Sequence, residues 1–234
     1  MIYFAIKSCQ ADVKSGANQA IRDTWLKLLP PNVGHRFYIG GKPRVRLVDD
    51  ETYVDACDGN GKVESNGPEH LPKKSLAILK DFLTTNADHL FMCDTDLYVI
   101  PKLLFGCGFE NYDYSGVFSP LYPIGVRLES FKDNLGQIIS PFYAYASTHA
   151  CFFSRKAAEA VVRHFPDTSV HWADDFMIGQ TLGPLVVSGK ITAGHLDIEN
   201  KAIYHANASS QPGGRKSPAD WMYETHSLIM GPNA

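Results

Sequence analysis

The sequence lacks a long apolar run. No stretch approaches the run of about eighteen apolar residues from which a membrane-spanning helix is built. The apolar segment at positions 2–6, directly behind Met1, is also too short for the core of a signal peptide. We therefore expect no membrane span, and a soluble intracellular protein or a soluble domain of a longer one.

The chain also lacks a strong charge of either sign. It has 22 Lys and Arg against 25 Asp and Glu, a net charge of −3, and no basic run. Because nucleic acids are bound largely through clustered cations, the sequence predicts no nucleic-acid partner.

Cysteine is scarce, with five residues, an odd number, and no Cys-x-x-Cys spacing. This pattern excludes a disulfide framework or a zinc knuckle and favours buried free thiols. What remains is an ordinary globular composition, 44% apolar and 20% charged, in 234 residues that can bury a sizeable core.

Strand and helix patterns alternate along the first hundred residues. Apolar runs predict strands at 2–8, 36–39 and 90–93, and helical spacing predicts a helix over 15–29. Pro72 opens a further helix with leucines on one face. This order favours parallel strands and a crevice of the kind that binds nucleotides.

The second half is less regular. Positions 112–119 predict a strand, and 120–141, rich in Pro, Gly and Tyr, predict a hairpin or a loop over the site. Ser154 and Ser217 each predict the N-cap of a helix. We find no internal repeat or linker and predict one domain over 1–234, an α/β fold with a single Rossmann-like mixed sheet and helices on both faces.

The most informative motif is Asp94-Thr95-Asp96, which ends the apolar strand. Open α/β sheets bind ligands at the carboxyl ends of their strands. Carboxylates there suit Mg²⁺ or Mn²⁺, which is usually shared with a substrate phosphate. The alternative is a turn in which either aspartate caps the backbone.

Five segments, in the same order, resemble signatures of family 31 glycosyltransferases, the β-1,3-galactosyl-, N-acetylglucosaminyl- and Fringe-type enzymes. They are Arg-Asp-Thr-Trp at 22–25, Phe-Tyr-Ile-Gly at 37–40, Leu-Pro-Lys-Lys-Ser at 71–75, Asp-Thr-Asp-Leu-Tyr-Val at 94–99 and Ala-Asp-Asp-Phe-Met-Ile-Gly at 173–179. The resemblance implies a GT-A fold and a metal-dependent, inverting glycosyltransferase. It implies a nucleotide-sugar donor, most often UDP-linked, a Mn²⁺ or Mg²⁺ cofactor and a glycan or glycoconjugate acceptor. Positions 1–100 would then form the nucleotide-binding half and 101–234 the acceptor-binding half.

The chain departs from the family at one wall of the site. Thr148, His149 and Ala150 stand where the family has three glycines, and Asn18 stands where many relatives have arginine. Because glycine lets a backbone approach a ligand closely, the family's sugar preferences do not transfer. We interpret the chain as a distant, minimal relative of microbial or viral origin.

Metal roles follow from the resemblance and from the chemistry of glycosyl transfer. Asp96 is expected to hold the metal that neutralises the leaving phosphate, and Asp94 to bind donor hydroxyls or the metal through water. His205 is expected to close the metal site, like the histidine of Fringe-type enzymes. His195 is the alternative, and a hydrogen-bonded structural histidine is another.

Further donor contacts are expected from cations and from the end of the first strand. Lys74 and Arg22 are predicted to face the diphosphate, and Lys7 and Ser8 to bind the donor. Lys74 could instead be a solvated helix residue. Arg22 could instead pair with an acid such as Asp23 or Asp81.

An inverting reaction needs a base for the acceptor hydroxyl, and Asp175 is our choice. Asp174 could bind the acceptor, although both aspartates could merely cap a helix. His171, Trp172 and His149 are expected acceptor contacts.

Two other functions share these features. A haloacid-dehalogenase-type phosphatase also places Asp-x-Asp after an apolar strand, but that family has Thr or Val where Tyr98 stands and carries the motif on its first strand. A non-catalytic module that binds nucleotide sugars or glycans would keep the fold without turnover.

Overall fold

A computed structural model describes residues 1–41, 45–56, 71–118, 127–128, 131–132, 138–139, 142–143, 145–165, 173–206 and 217–231. The helices are α1 (Gln10–Ser15), α2 (Ala17–Asp23), α3 (Leu71–Phe82), α4 (Pro101–Phe105), α5 (Arg155–His164), α6 (Asp174–Val187) and α7 (Pro218–Met230). The strands are β1 (Ile2–Ser8), β2 (Gly34–Gly40), β3 (Glu51–Val54), β4 (His89–Asp94), β5 (Leu97–Val99), β6 (Tyr114–Phe118), β7 (Arg127–Leu128), β8 (Phe131–Lys132), β9 (Ile138–Ile139), β10 (Phe142–Tyr143), β11 (Ala146–Ser154), β12 (Ala193–His195) and β13 (Ile203–His205).

The main sheet of the described residues has seven strands in the order β12-β6-β11-β4-β1-β2-β3. Strand β1 pairs in parallel with β2 and β4, whereas β11 runs antiparallel to β4 and β6. Strands from both halves of the chain thus form one mixed sheet. The predicted mixed sheet and the predicted parallel pairing of the first half are confirmed.

Helices cover both faces of this sheet, as predicted, because alternate strand residues are apolar on both sides. Ile21 and Trp25 of α2 and the turn after it pack into a core on one face. Leu79 of α3, Val161 of α5 and Ile178 of α6 pack into a core on the other. Because β1 and β4 are parallel neighbours, their carboxyl ends lie side by side at one edge of the sheet.

The helix expected over 15–29 is wrong in its bounds. Gly16, with φ of 81°, separates α1 from α2, and a 3₁₀ turn (Leu26–Leu28) follows. The two predicted caps are confirmed, since Ser154 Oγ accepts the N–H of Ala157 and Ser217 Oγ accepts the N–H of Asp220. Across the described part of the chain, no helix combines the length and the apolar character that crossing a bilayer requires.

Within the segment 120–141 only β7, β8 and β9 are described. Strands β8 and β9 pair antiparallel, as a hairpin requires. The remainder of that segment lies outside the described residues, and so do His171 and Trp172.

Candidate functional site

A cleft with a volume of about 580 Å³ opens at the carboxyl ends of β1 and β4. This volume is typical of a small-molecule site. The starts of α1, α3 and α6 complete its walls. The predicted site residues that line it are Lys7, Ser8, Lys74, Asp94, Asp96, His149, Asp174 and Asp175.

Lys7 links the two carboxylate segments of the cleft. The parallel register places Lys7 of β1 beside Asp94 of β4, and Nζ lies 3.1 Å from Asp94 Oδ1 and 3.1 Å from Asp174 Oδ2. Burial opposes the charge on this lysine, but Asp174 and Asp94 together raise its pKa. Lys7 is therefore a permanent buried cation that joins α6 to the end of β4.

Asp174 is fully occupied by this network. Its Oδ2 accepts from Lys7 and from Ser75 Oγ at 2.5 Å, and its Oδ1 accepts from Thr148 Oγ1 at 2.8 Å. Burial opposes its ionisation, but Lys7 and these hydrogen bonds together lower the pKa of Asp174. The carboxylate holds four segments together and, with both oxygens engaged, is placed to position neighbours rather than to bind an acceptor.

Asp175, the next residue, has the opposite character. Burial, reinforced by the charge of Asp174, raises the pKa of Asp175 to about 6, although the N–H of Phe176 donates to its Oδ1 at 2.7 Å. This hydrogen bond lies within the first turn of α6, whose N-cap residue is Ala173 and has no side-chain cap. A carboxylate with a pKa near 6 that lines a cleft is suited to accept a proton near neutral pH.

Asp96 lies beside His205. Strand β13 pairs antiparallel with β5 so that His205 stands opposite Leu97, and His205 Nε2 lies 3.3 Å from Asp96 Oδ2. The other oxygen, Oδ1, is buried and has no hydrogen-bond partner among the described residues. Burial, with Asp94 adding to it, raises the pKa of Asp96.

His195, the alternative, lies on β12, three strands from β4 in the sheet. Its Nδ1 accepts the backbone N–H of Phe118 at 3.1 Å, which commits the ring to the edge of the sheet. The structure therefore brings His205, and not His195, to Asp96.

Asp96 and His205 offer one carboxylate and one imidazole to a divalent cation. Within the described ranges, no three or more His, Cys, Asp or Glu side chains are grouped so as to hold a metal ion. A site for Mg²⁺ or Mn²⁺ needs only one or two protein ligands when substrate phosphates supply the others. The pair of Asp96 and His205, with an oxygen left unbonded, fits a cation that binds together with a diphosphate.

Lys74 and Ser8 lie together at the back of the cleft. Lys74 is only 2% exposed and its Nζ donates to the Ser8 backbone oxygen at 2.8 Å, so the alternative of a solvated helix residue is wrong. Ser8 Oγ donates to Asn18 Oδ1 at 2.7 Å, and Asn18 Nδ2 donates to Glu51 at 2.9 Å.

Arg22 is held outside the cleft. It donates to both oxygens of Asp50, at 2.6 and 2.9 Å, and to Glu51 at 2.7 Å. Neither Asp23 nor Asp81 is its partner, and Arg22 is not among the residues that line the cleft. Because its donors are engaged by the start of β3, we leave Arg22 out of the donor site.

His149 stands on β11 with its ring fixed on two sides. Its Nδ1 is hydrogen-bonded to Ser147 Oγ, and its ring meets that of His205 nearly edge-on, with centroids 5.3 Å apart. Burial and the neighbouring His205 lower the pKa of His149. Its Nε2 is buried and has no hydrogen-bond partner in the described part of the chain.

Sequence reasoning gave no role to Ser75, Thr148 or Asp12. Ser75 and Thr148 hold Asp174, and Asp12 accepts from Thr95 Oγ1 at 2.8 Å, within the motif itself. These residues lie far apart along the chain, and no local pattern signals such contacts.

The sequence matches no model of a known protein family and no curated protein. Among solved structures, the fold is similar to that of the galactosyltransferase LgtC in complex with donor and acceptor sugar analogues, at 12% identity and a TM-score of 0.48, over 97% of this chain and 95% of that one. It is also similar to 2-C-methyl-D-erythritol 4-phosphate cytidylyltransferase from Thermus thermophilus (12%, 0.43, 97% and 98%) and to HddC from Yersinia pseudotuberculosis (10%, 0.45, 98% and 100%). Likenesses at this level identify neither a reaction nor a substrate.

Proposed function

We propose that this protein is a metal-dependent, inverting glycosyltransferase of the GT-A type. It would transfer a sugar from a nucleotide-diphosphate sugar, UDP-linked by resemblance, to a hydroxyl of a glycan or glycoconjugate. One observation supports this most strongly. One cleft is lined by Asp96 and by Asp175, whose pKa is near 6. Asp96 Oδ2 lies beside His205, and Asp96 Oδ1 is buried without a hydrogen-bond partner among the described residues.

On the donor side, Asp96 and His205 would hold Mn²⁺ or Mg²⁺. When bound, such a cation neutralises the charge that develops on the leaving diphosphate. Lys74 brings a positive charge to the wall of the same cleft, and Lys7, paired with Asp94 and Asp174, holds these two carboxylates in place. Asp94, paired with Lys7 and 38% exposed in its side chain, is free to accept from ribose or sugar hydroxyls.

On the acceptor side, Asp175 would remove the proton of the attacking hydroxyl as the new glycosidic bond forms. Above a pH of about 6 the carboxylate is deprotonated and able to act as the base. Asp174 keeps Lys7 and the start of α6 in position, so that Asp175 faces the cleft.

The test is a panel of nucleotide sugars with Mn²⁺, measuring release of the nucleoside diphosphate with and without EDTA, and determining the anomeric configuration of the product by NMR. We expect metal-dependent release and an inverted product. Binding without turnover would favour the non-catalytic module, and phosphate release from simple esters the phosphatase. A retained configuration would contradict the role of Asp175. For substitutions of Asp96 and Asp175 in this assay, Asp88→Asn is the matched control. Asp88 is exposed and precedes β4, at the opposite end of the same strand.

A further inference from the structure

Strand β11 is irregular where it borders the cleft. Ala146 pairs with Phe118 of β6 and Cys151 with Gly116, so positions 147–150 lie opposite a single residue of the neighbouring strand. Gly116 permits this arrangement, because a Cβ there would lie 2.8 Å from the backbone oxygen of Ala150. Bulges of this kind occur beside active sites, where they redirect side chains.

His149 belongs to this bulge and lines the cleft. Ala150 pairs with Cys93 of β4. The antiparallel register therefore places His149 at the level of Asp94, the first carboxylate of the motif. Ser147 and the ring of His205 fix the imidazole on two sides, which leaves Nε2 as the nitrogen without a protein partner among the described residues. A buried polar atom in this state calls for an explanation, and a ligand in the cleft provides one.

The surroundings indicate which part of a ligand this nitrogen meets. Lys74 brings a positive charge to the cleft, and Asp96 with His205 forms the proposed cation site. In the proposed function the diphosphate of the donor binds at those groups. The polar groups then left for His149 Nε2, which has no partner among the described residues, are the hydroxyls of the attached sugar.

We propose that His149, expected from the sequence to contact the acceptor, is instead a specificity-determining residue whose Nε2 hydrogen-bonds to a hydroxyl of the transferred sugar. This inference rests on the proposed function, because it takes a nucleotide sugar to be the ligand. The sugar selected would be one that carries a hydroxyl within reach of β11.

The experiment compares dissociation constants by calorimetry, with Mn²⁺ present, for UDP and for the UDP-sugar that the wild type binds most tightly among UDP-glucose, UDP-galactose and UDP-N-acetylglucosamine. In His149→Ala the UDP-sugar should bind roughly 3- to 10-fold more weakly, the loss expected for one uncharged hydrogen bond, while UDP binds as before. His149→Gln, which keeps a polar group on the side chain, should recover part of the loss. His164→Ala, at the exposed end of α5, is the control, and melting temperatures verify folding.

Other outcomes overturn the inference. An equal loss for UDP and UDP-sugar would place His149 at the diphosphate, and no loss for either would make it a structural residue. If the wild type binds no nucleotide sugar, the proposed function and this inference fail together. If it binds without turnover, glycosyl transfer fails, and the comparison of UDP with UDP-sugar still decides the role of His149.

Discussion

The two ends of the central strands differ in how completely their polar groups are paired. At the amino end, Asp88 pairs with the N-terminal ammonium, and Arg155 donates to the backbone oxygens of Leu83, Thr85 and Ala87. At the carboxyl end, by contrast, the structure leaves buried polar atoms without protein partners among the residues it describes.

Two of these atoms belong to residues that line the cleft, Asp96 Oδ1 and His149 Nε2, and the same end holds Asp175 with its pKa raised to about 6. Charges at the amino end are matched to partners and stabilise the fold. The carboxyl end keeps hydrogen-bonding capacity that a ligand can use, which is where open α/β sheets bind ligands. We therefore expect substitutions at the amino end to change stability alone, and substitutions at the carboxyl end to change activity and, at the Lys7–Asp174 pair, stability as well.

The largest effect is expected for Asp96→Ala. Loss of the carboxylate beside His205 removes an expected metal ligand, and a loss of several kcal/mol should lower transfer by at least about 10³-fold. Initial rates with a Mn²⁺ titration measure this, and circular dichroism verifies the fold. Turnover near the wild-type rate would contradict the proposed cation site at Asp96.

Asp175→Asn should follow, with transfer reduced by roughly 10²- to 10⁴-fold, the usual contribution of a positioned base. Affinity for the nucleotide should change little, because Asp175 does not contact the diphosphate in this proposal. In the wild type, kcat should rise with pH through about 6 as the carboxylate loses its proton, and this step should be absent in the variant. A normal kcat would exclude Asp175 as the base.

Asp174→Ala tests stability at the carboxyl end. Removing one partner of the buried ion pair leaves Lys7 with the more exposed Asp94 alone, which places the cost toward the lower end of about 3 to 5 kcal/mol of unfolding free energy. Urea denaturation at neutral pH measures it. The pKa of Asp174 is lowered in the folded state, so its contribution is present above the ordinary carboxyl pKa of 3.8 and is lost as pH falls through the lower folded value. Thr148→Val, which removes one hydrogen bond to the same carboxylate, should cost less.

Asp175 should have the opposite effect on stability. Its pKa is about 6 when folded against an ordinary 3.8, so the folded state binds the proton more tightly, and stability falls as pH rises between these values. Asp175→Asn should therefore be more stable above pH 6, by about 2 to 3 kcal/mol. Denaturation curves at pH 4 and pH 7 provide the test, with the difference between variant and wild type appearing only at the higher pH.

The smallest effect is expected at the amino end. Arg155→Ala removes three hydrogen bonds to backbone oxygens and should cost about 2 kcal/mol of unfolding free energy. Nucleotide affinity should be unchanged, since Arg155 lies at the other end of the sheet. A loss of nucleotide affinity in this variant would show that the two ends of the sheet are coupled.

The sequence predicted those parts of the fold that carry their own local pattern. The apolar runs of β1, β2 and β4 and the serine caps of α5 and α7 each follow from neighbouring residues, and these predictions are confirmed. Strand β3 has no alternation that signals it, so the partners of Arg22 at its start could not be foreseen.

The same limit applies to the site. Asp94 and Asp96 were found because they follow a strand in sequence. The bridge from Lys7 to Asp174 joins residues that are distant along the chain, so only the folded sheet reveals it. The roles of the individual site residues in catalysis and metal binding stay predictions until the variants are measured.

The pairing of β13 with β5 has a consequence for protein synthesis. Strands β1 to β4, β6 and β11 are all present once Ser154 has been added, so most of the main sheet is available to pair early. Asp96 acquires His205 only after some fifty further residues have been added, since His205 lies on β13. A nascent chain therefore contains most strands of the main sheet before it contains both proposed ligands of the cation, and a chain released in that interval would lack His205.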